Sequence, residues 1–300
     1  MKPDQYLRKI LEQQIISPDD GEYRRLTQER SRVETLLKKA FPGKSPSIRY
    51  GGSMAKGTMI RENFDLDLIC YFHSDDNSAG ESLKDIYENT RKVLENTYFV
   101  EQKTSSLRLK GKEGASKEVD FHIDVVPGRF VDKNDGDAFL FQSGAEKERL
   151  KTNLQKHIDF IKDSGRIEAI RLAKLWNVRR AIGVKTFVLE LLVIKALDGI
   201  NKNSELTVQL TRFWNYLIDN EKQLVVEDAS NPAGNDLRPY LDRLAVTLAM
   251  LSRDTLQRIT QQGWEGVFGP AEQASEAQVN EALSSVNILK SSTARPWCPL

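Results

Sequence analysis

The chain has little from which to build a disulfide framework or a zinc centre. In 300 residues it carries two cysteines, Cys70 and Cys298, and three scattered histidines, His73, His122 and His157. Cysteines this few and this far apart exclude a stapled secreted scaffold and point to a reduced compartment. Histidines so dispersed give neither a metal cluster nor a serine–histidine pair. No apolar run approaches the about 20 residues that a bilayer span needs. The start, Met1-Lys2-Pro3-Asp4-Gln5-Tyr6, lacks a secretory pattern, so a soluble cytoplasmic protein is expected. Charge of one sign is also missing: 44 Lys and Arg face 43 Asp and Glu, a net of +1. Proteins that hold long nucleic acid neutralise many phosphates and carry a basic surplus, which argues against such a partner here.

What is present concentrates between residues 47 and 67. Ser47-Ile48-Arg49-Tyr50 reads as a strand, followed by Gly51-Gly52-Ser53-Met54-Ala55-Lys56-Gly57-Thr58 and then Asp65-Leu66-Asp67. Glycines let backbone approach a phosphate, and the following turn offers N–H donors. Residues i and i+2 of a strand share a face, so Asp65 and Asp67 project together while Phe64, Leu66 and Leu68 face a core. Two carboxylates that close repel unless a cation lies between them. Hard oxygen donors at that spacing suit Mg²⁺ shared with substrate phosphates. Lys56 and Arg61 flank the loop, reading equally as phosphate contacts or as solvated charges.

A third element is Val119-Asp120-Phe121-His122-Ile123-Asp124-Val125-Val126-Pro127. Its alternation gives one apolar face and one polar face carrying Asp120, His122 and Asp124. Pro127 is expected to stop the strand, since it cannot donate to a ladder. A carboxylate near that end would complete a two-metal site. His122 reads first as a surface histidine and second as a neighbour of the site, and Trp176, Trp214 and Trp264 as helix-packing residues.

The coarse pattern is two helices near 4–15 and 22–41, strands near 47–51 and 64–72, and a helix over 82–96. Strands near 98–103, 105–111 and 117–126 complete a mixed sheet. From about residue 146 the periodicity is helical almost throughout, with Val188 to Ala196 apolar nearly all round and therefore the buried central helix of that half. Residues 291–300 read as a loose tail.

Taken in order, Gly52-Ser53, Gly57-Thr58, Asp65-Leu66-Asp67 and Asp124-Val125-Val126-Pro127 resemble the polymerase-beta-type nucleotidyltransferases. Within them the likeness is to the branch of oligoadenylate synthetase, cyclic GMP–AMP synthase and the bacterial CD-NTases. Arg171-Leu172-Ala173-Lys174-Leu175-Trp176, Lys185-Thr186-Phe187-Val188-Leu189-Glu190-Leu191-Leu192 and Val225 to Asn235 are similar to that branch's helical half. The resemblance implies an α/β (α+β) fold of two lobes around a central cleft. These are a nucleotidyltransferase core over 1–145, including the N-terminal helices, and a helical lobe over 146–290. It implies Asp65, Asp67 and Asp124 as catalytic metal ligands for Mg²⁺ or Mn²⁺. It further implies Gly52, Ser53, Lys174 and Thr186 as contacts of the donor nucleotide. The implied activity is template-independent synthesis of cyclic di- or trinucleotide messengers from NTPs, ATP first and GTP or others besides, in CBASS antiphage defence. A regulatory protein of the same defence operon is the implied partner. The alternatives are a linear oligoadenylate synthetase, a CCA-adding or poly(A)-type polymerase, and a catalytically idle nucleotide-binding partner.

Overall fold

The structure is a computed structural model that describes residues 1–43, 46–111, 122–145, 147–231 and 235–271. Val119, Asp120 and Phe121, Cys298 and the 291–300 tail lie outside the described residues. Two helices lead, α1 (Pro3–Gln13) and α2 (Gly21–Ala40). There follow β1 (Ser47–Tyr50), the short α3 (Gly52–Lys56), β2 (Leu66–Phe72), α4 (Leu83–Glu95), β3 (Tyr98–Gln102) and β4 (Leu107–Gly111). β5 (Ile123–Phe130), β6 (Ala138–Phe141) and β7 (Arg149–Thr152) finish the sheet. Helices then dominate: α5 (Leu154–Asp163), α6 (Ile167–Arg179), α7 (Thr186–Ala196), α8 (Leu206–Asp219), α9 (Arg238–Leu241), α10 (Ala245–Gln262) and α11 (Glu265–Phe268).

The seven-stranded sheet runs β1-β2-β5-β4-β3, with β6 on β5 and β7 on β6. β2 and β5 are parallel and the other pairs antiparallel, so the sheet is mixed as expected. The period of two sorts its faces. Leu66, Leu68, Cys70 and Phe72 of β2, Leu107 and Leu109 of β4, and Ile123 and Val125 of β5 pack beneath α2 and α4. α4 starts on a capping box, in which Ser82 Oγ accepts from Asp85 N at 3.1 Å and Ser82 N donates to Asp85 Oδ2 at 3.0 Å. The opposite face of the sheet carries Asp67, Arg108 and Asp124, and this face holds the site.

Three expectations need correction. Pro127 does not end β5, which continues to Phe130. Pairing with β4 reaches Val125 and pairing with β6 begins at Gly128, so Pro127 falls where one side of the strand has no ladder to interrupt. The region after 146 opens with β7, whose Arg-Leu-Lys-Thr alternates exposed and half-buried and carries too short an apolar signal to read as a strand. α1 does not join the sheet lobe: Tyr6, Leu7, Ile10 and Leu11 are buried in the helical cluster with residues of α6, α7, α8 and α10. In that cluster α7 is the central helix that its apolar run predicts.

Candidate active site

The glycine loop is fitted against Asp67. Gly51 N donates to Asp67 O at 2.9 Å, tying the loop back to β2. Gly52 has φ +51°, and a Cβ there would lie 1.5 Å from Asp67 Oδ2. Only glycine tolerates both the backbone angle and that approach. Ser53 follows in α3, and its carbonyl accepts from Thr58 N at 2.9 Å, closing the loop. Gly52 therefore stands directly beside the Asp67 carboxylate, with Ser53 next in the chain.

Across the sheet, side chains in register share a face. Asp67 on β2 pairs with Asp124 on β5, Asp124 with Arg108 on β4, and Arg108 with Glu101 on β3. The result is one transverse row of charges, with Asp65 just before it. Burial, Asp124 and Asp65 together push the Asp67 carboxyl up to about 7. Arg108 forks onto Asp124, Nε to Oδ1 at 2.7 Å and Nη2 to Oδ2 at 2.6 Å, and its Nη2 lies 3.5 Å from Asp65 Oδ2. His122 Nδ1 sits 3.4 Å from Asp65 Oδ1, so this histidine does reach the site.

The donor set fits a hard divalent cation: carboxylate oxygens on one face, with burial, Asp124 and Asp65 outweighing Lys56 and Arg108 at Asp67. Among the described residues, however, no three acidic, histidine or cysteine side chains converge as metal ligands. The Asp124 carboxylate is instead engaged by Arg108.

Lys174 is held in a buried network. Its Nζ donates to Thr58 O at 3.0 Å and Thr58 Oγ1 at 2.8 Å and pairs with Glu190 Oε1 at 2.7 Å. An ammonium has three donors, and all three are used. Lys56 pairs with the other oxygen of Glu190, and Thr58 Oγ1 donates to Glu190 Oε1 at 2.5 Å. Glu190 is fully buried, and both lysines are nearly so. Burial, offset in part by Glu190, lowers Lys174 to about 8. This network joins the glycine loop to α6 and α7. Arg61 also serves the fold, pairing with Asp20 at 2.5 Å and Glu22 at 2.6 Å at the start of α2. Thr186 opens α7, beside Phe187, whose ring faces Lys56 at 5.5 Å. The stretch from 225 is pinned through buried Asp228, which accepts from Ser230 N and from Asn235 Nδ2 at 2.8 and 2.7 Å. Ser230 Oγ in turn meets His157 Nε2 at 2.7 Å.

Sequence reasoning missed Arg108 and Glu190 as site residues. The available signals were a single charge between Leu107 and Leu109, and a single carboxylate inside the apolar run of α7.

The mixed sheet, the carboxylates on its open face and the helical half agree with the fold of the polymerase-beta-type nucleotidyltransferases that the motifs resemble. No family model matches the chain. Over 203 residues it is 29% identical to the cyclic AMP-AMP-AMP synthase of Escherichia coli strain MS 115-1, a match spanning 59% of this chain and 59% of that relative. CdnC from Escherichia coli MS115-1, solved with ATP, superposes with a TM-score of 0.68 at 22% identity, covering 91% of this chain and 99% of CdnC. The same holds for CdnC in its complex with HORMA-deltaN, covering 91% of this chain and 98% of CdnC at TM-score 0.68 and 22% identity. CdnG of Bradyrhizobium diazoefficiens in complex with GTP gives a TM-score of 0.68 at 14% identity, over 95% of this chain and 98% of CdnG. The resemblance to the CD-NTases is thus borne out, and the fold is theirs.

Proposed function

We propose that the chain is a template-independent nucleotidyltransferase that makes a cyclic di- or trinucleotide messenger from NTPs with release of pyrophosphate. The observation that carries this reading is Gly52 packed onto Asp67, with Asp67 in register with Asp124. A loop able to approach phosphate and a carboxylate row able to hold metal meet at one point. The sequence likeness to a cyclic AMP-AMP-AMP synthase and the fold shared with ATP- and GTP-bound neighbours support the same activity.

Asp65, Asp67 and Asp124 are the residues we assign to Mg²⁺ or Mn²⁺. Bound there, the metals would neutralise triphosphate charge and lower the pKa of an acceptor ribose hydroxyl. The chain itself supplies position: Gly52 and Ser53 take the donor's terminal phosphates, and the Lys56–Glu190–Lys174 network holds their loop against the helical half. Thr186 is assigned to the donor as well, on the strength of the resemblance. We assign the cleft between the sheet lobe and the helical half, which α1 joins, to the nucleotides. The partner we propose is a regulatory protein of a CBASS defence operon, a reading supported by the HORMA complex of CdnC.

Incubation of the pure protein with each labelled NTP and Mg²⁺, followed by mass spectrometry, tests the reading. A cyclic oligonucleotide and pyrophosphate are expected, lost with EDTA and in Asp67→Ala and Asp124→Asn. Near-normal turnover by Asp67→Ala would overturn the metal assignment, and extension of added tRNA would favour a polymerase.

A further inference from the structure

Arg108 stands in the middle of the carboxylate row, where the proposed chemistry gives it no role. It is 2% exposed, is paired by both Nε and Nη2 with Asp124, and reaches Asp65 with the same Nη2. A guanidinium stays charged at any working pH, so this is a permanent internal cation. It binds both oxygens of the carboxylate assigned as the third metal ligand. Each Asp124 oxygen keeps a second lone pair, but the charge that would attract a metal is already matched by the guanidinium, which also repels a cation arriving beside it.

We infer that Arg108 is a positioning residue that competes with metal for Asp124 and makes metal loading depend on nucleotide. The inference rests on the metal assignment proposed above. A free divalent cation at Asp124 meets a carboxylate already paired with a buried guanidinium, so it gains little from that ligand unless the fork loosens, and loosening a buried pair is expensive. A metal arriving on a triphosphate brings anionic oxygens with it, which give the guanidinium a new partner as it leaves Asp124. Metal and nucleotide therefore bind with positive coupling, and by linkage each tightens the other by the same factor. Without the arginine the coupling falls, because Asp124 is already released.

The test is Mn²⁺ binding, read by electron paramagnetic resonance, with and without a non-hydrolysable ATP analogue. For the protein as it stands, weak Mn²⁺ binding alone and tighter binding with the analogue are expected. Arg108→Gln should bind Mn²⁺ about tenfold more tightly without nucleotide, with a correspondingly smaller gain from the analogue. Arg108→Lys keeps the charge but not the fork and should fall between them, and it serves if the glutamine variant does not fold. Mn²⁺ binding by Arg108→Gln, or by Arg108→Lys in its place, that is no tighter than the parent's would overturn the competition and leave the metal site standing. An absence of Mn²⁺ binding to the parent even with the analogue would overturn the metal assignment itself, and the competition with it.

Discussion

Gly52 lies against the Asp67 carboxylate with no room for a side chain. At Gly52 an alanine meets two penalties, a left-handed φ of +51° and a Cβ placed 1.5 Å from Asp67 Oδ2. Gly52→Ala should cost about 1–3 kcal/mol of stability and remove product, because the Asp67 carboxylate must turn away. Gly57, at φ +73° with nothing within 4 Å of its Cβ position, provides the control. Gly57→Ala should lose about 1–2 kcal/mol to backbone strain and keep most of its turnover. Equal losses of turnover in the two variants would show that loop flexibility, rather than the approach to Asp67, matters. Asp67 itself makes a pH prediction for the metal-free chain. Its carboxyl rises from 3.8 to about 7 on folding, so between those values the folded state binds more protons than the unfolded. Stability should therefore fall as pH rises through that window, and Asp67→Asn should remove this part of the slope. Urea unfolding in EDTA at pH 4.5, 6 and 7.5 checks it. A parent and variant with parallel pH profiles would mean that Asp67 is compensated in the fold.

At the scale of elements, α7 is the helix that the sequence reading anticipates best and interprets least completely. Its apolar run marks a buried helix, and the structure buries it; Glu190 within that run is the residue left unexplained. Periodicity reports which face is apolar, but not that two lysines from α3 and α6 converge on one buried carboxylate. Helices α1, α2 and α4 and strands β1 to β4 were legible because each carries a period of 3.6 or 2 over its length. β6 and β7 were not, since four residues give too few alternations, and Pro127 misled because its effect depends on which neighbour the strand has at that point. The glycine loop and Asp65, Asp67 and Asp124 were legible from spacing and from the resemblance. Arg108 was not, because its partner is set by the cross-strand register. Lys174 shows the same limit: its segment was recognised, yet its donors turn to Thr58 and Glu190. Glu190→Gln leaves Lys56 and Lys174 buried without a counter-charge and should destabilise by about 3–5 kcal/mol. With Lys174→Met the loss should be well short of additive, since both changes break one network. Thermal and urea unfolding measure both. If Lys174→Met kept its stability and lost only ATP affinity, the lysine would return to the triphosphate.

For the molecule as a whole, charge constrains the product more than any single residue does. Forty-four cations against forty-three anions, many of them paired within the fold, leave a net of +1 and no general hold on a long polyanion. An acceptor that cannot be held by its length must be held by its position, and the carboxylate row offers one position, opposite the glycine loop. On the proposed function the acceptor would be a second nucleotide at the same site. The linear intermediate from the first transfer would keep its own 5′-triphosphate, and turning over would bring that group to the row Asp67–Asp124 for a second transfer. That step attaches the free hydroxyl to the α-phosphorus, releases the last pyrophosphate and leaves no terminal phosphate. The expected product is a ring of two or three nucleotides, with adenine the base indicated by the synthase likeness. Phosphatase treatment decides it, because a ring keeps its mass and mobility while a triphosphate-ended chain shifts. A ladder of phosphatase-sensitive products would show that the intermediate leaves before it turns, as in a linear oligoadenylate synthetase. Raising the salt concentration should change the yield of the ring only modestly, since few phosphates are neutralised at once, whereas a steep salt dependence would reveal a longer nucleic acid on the surface.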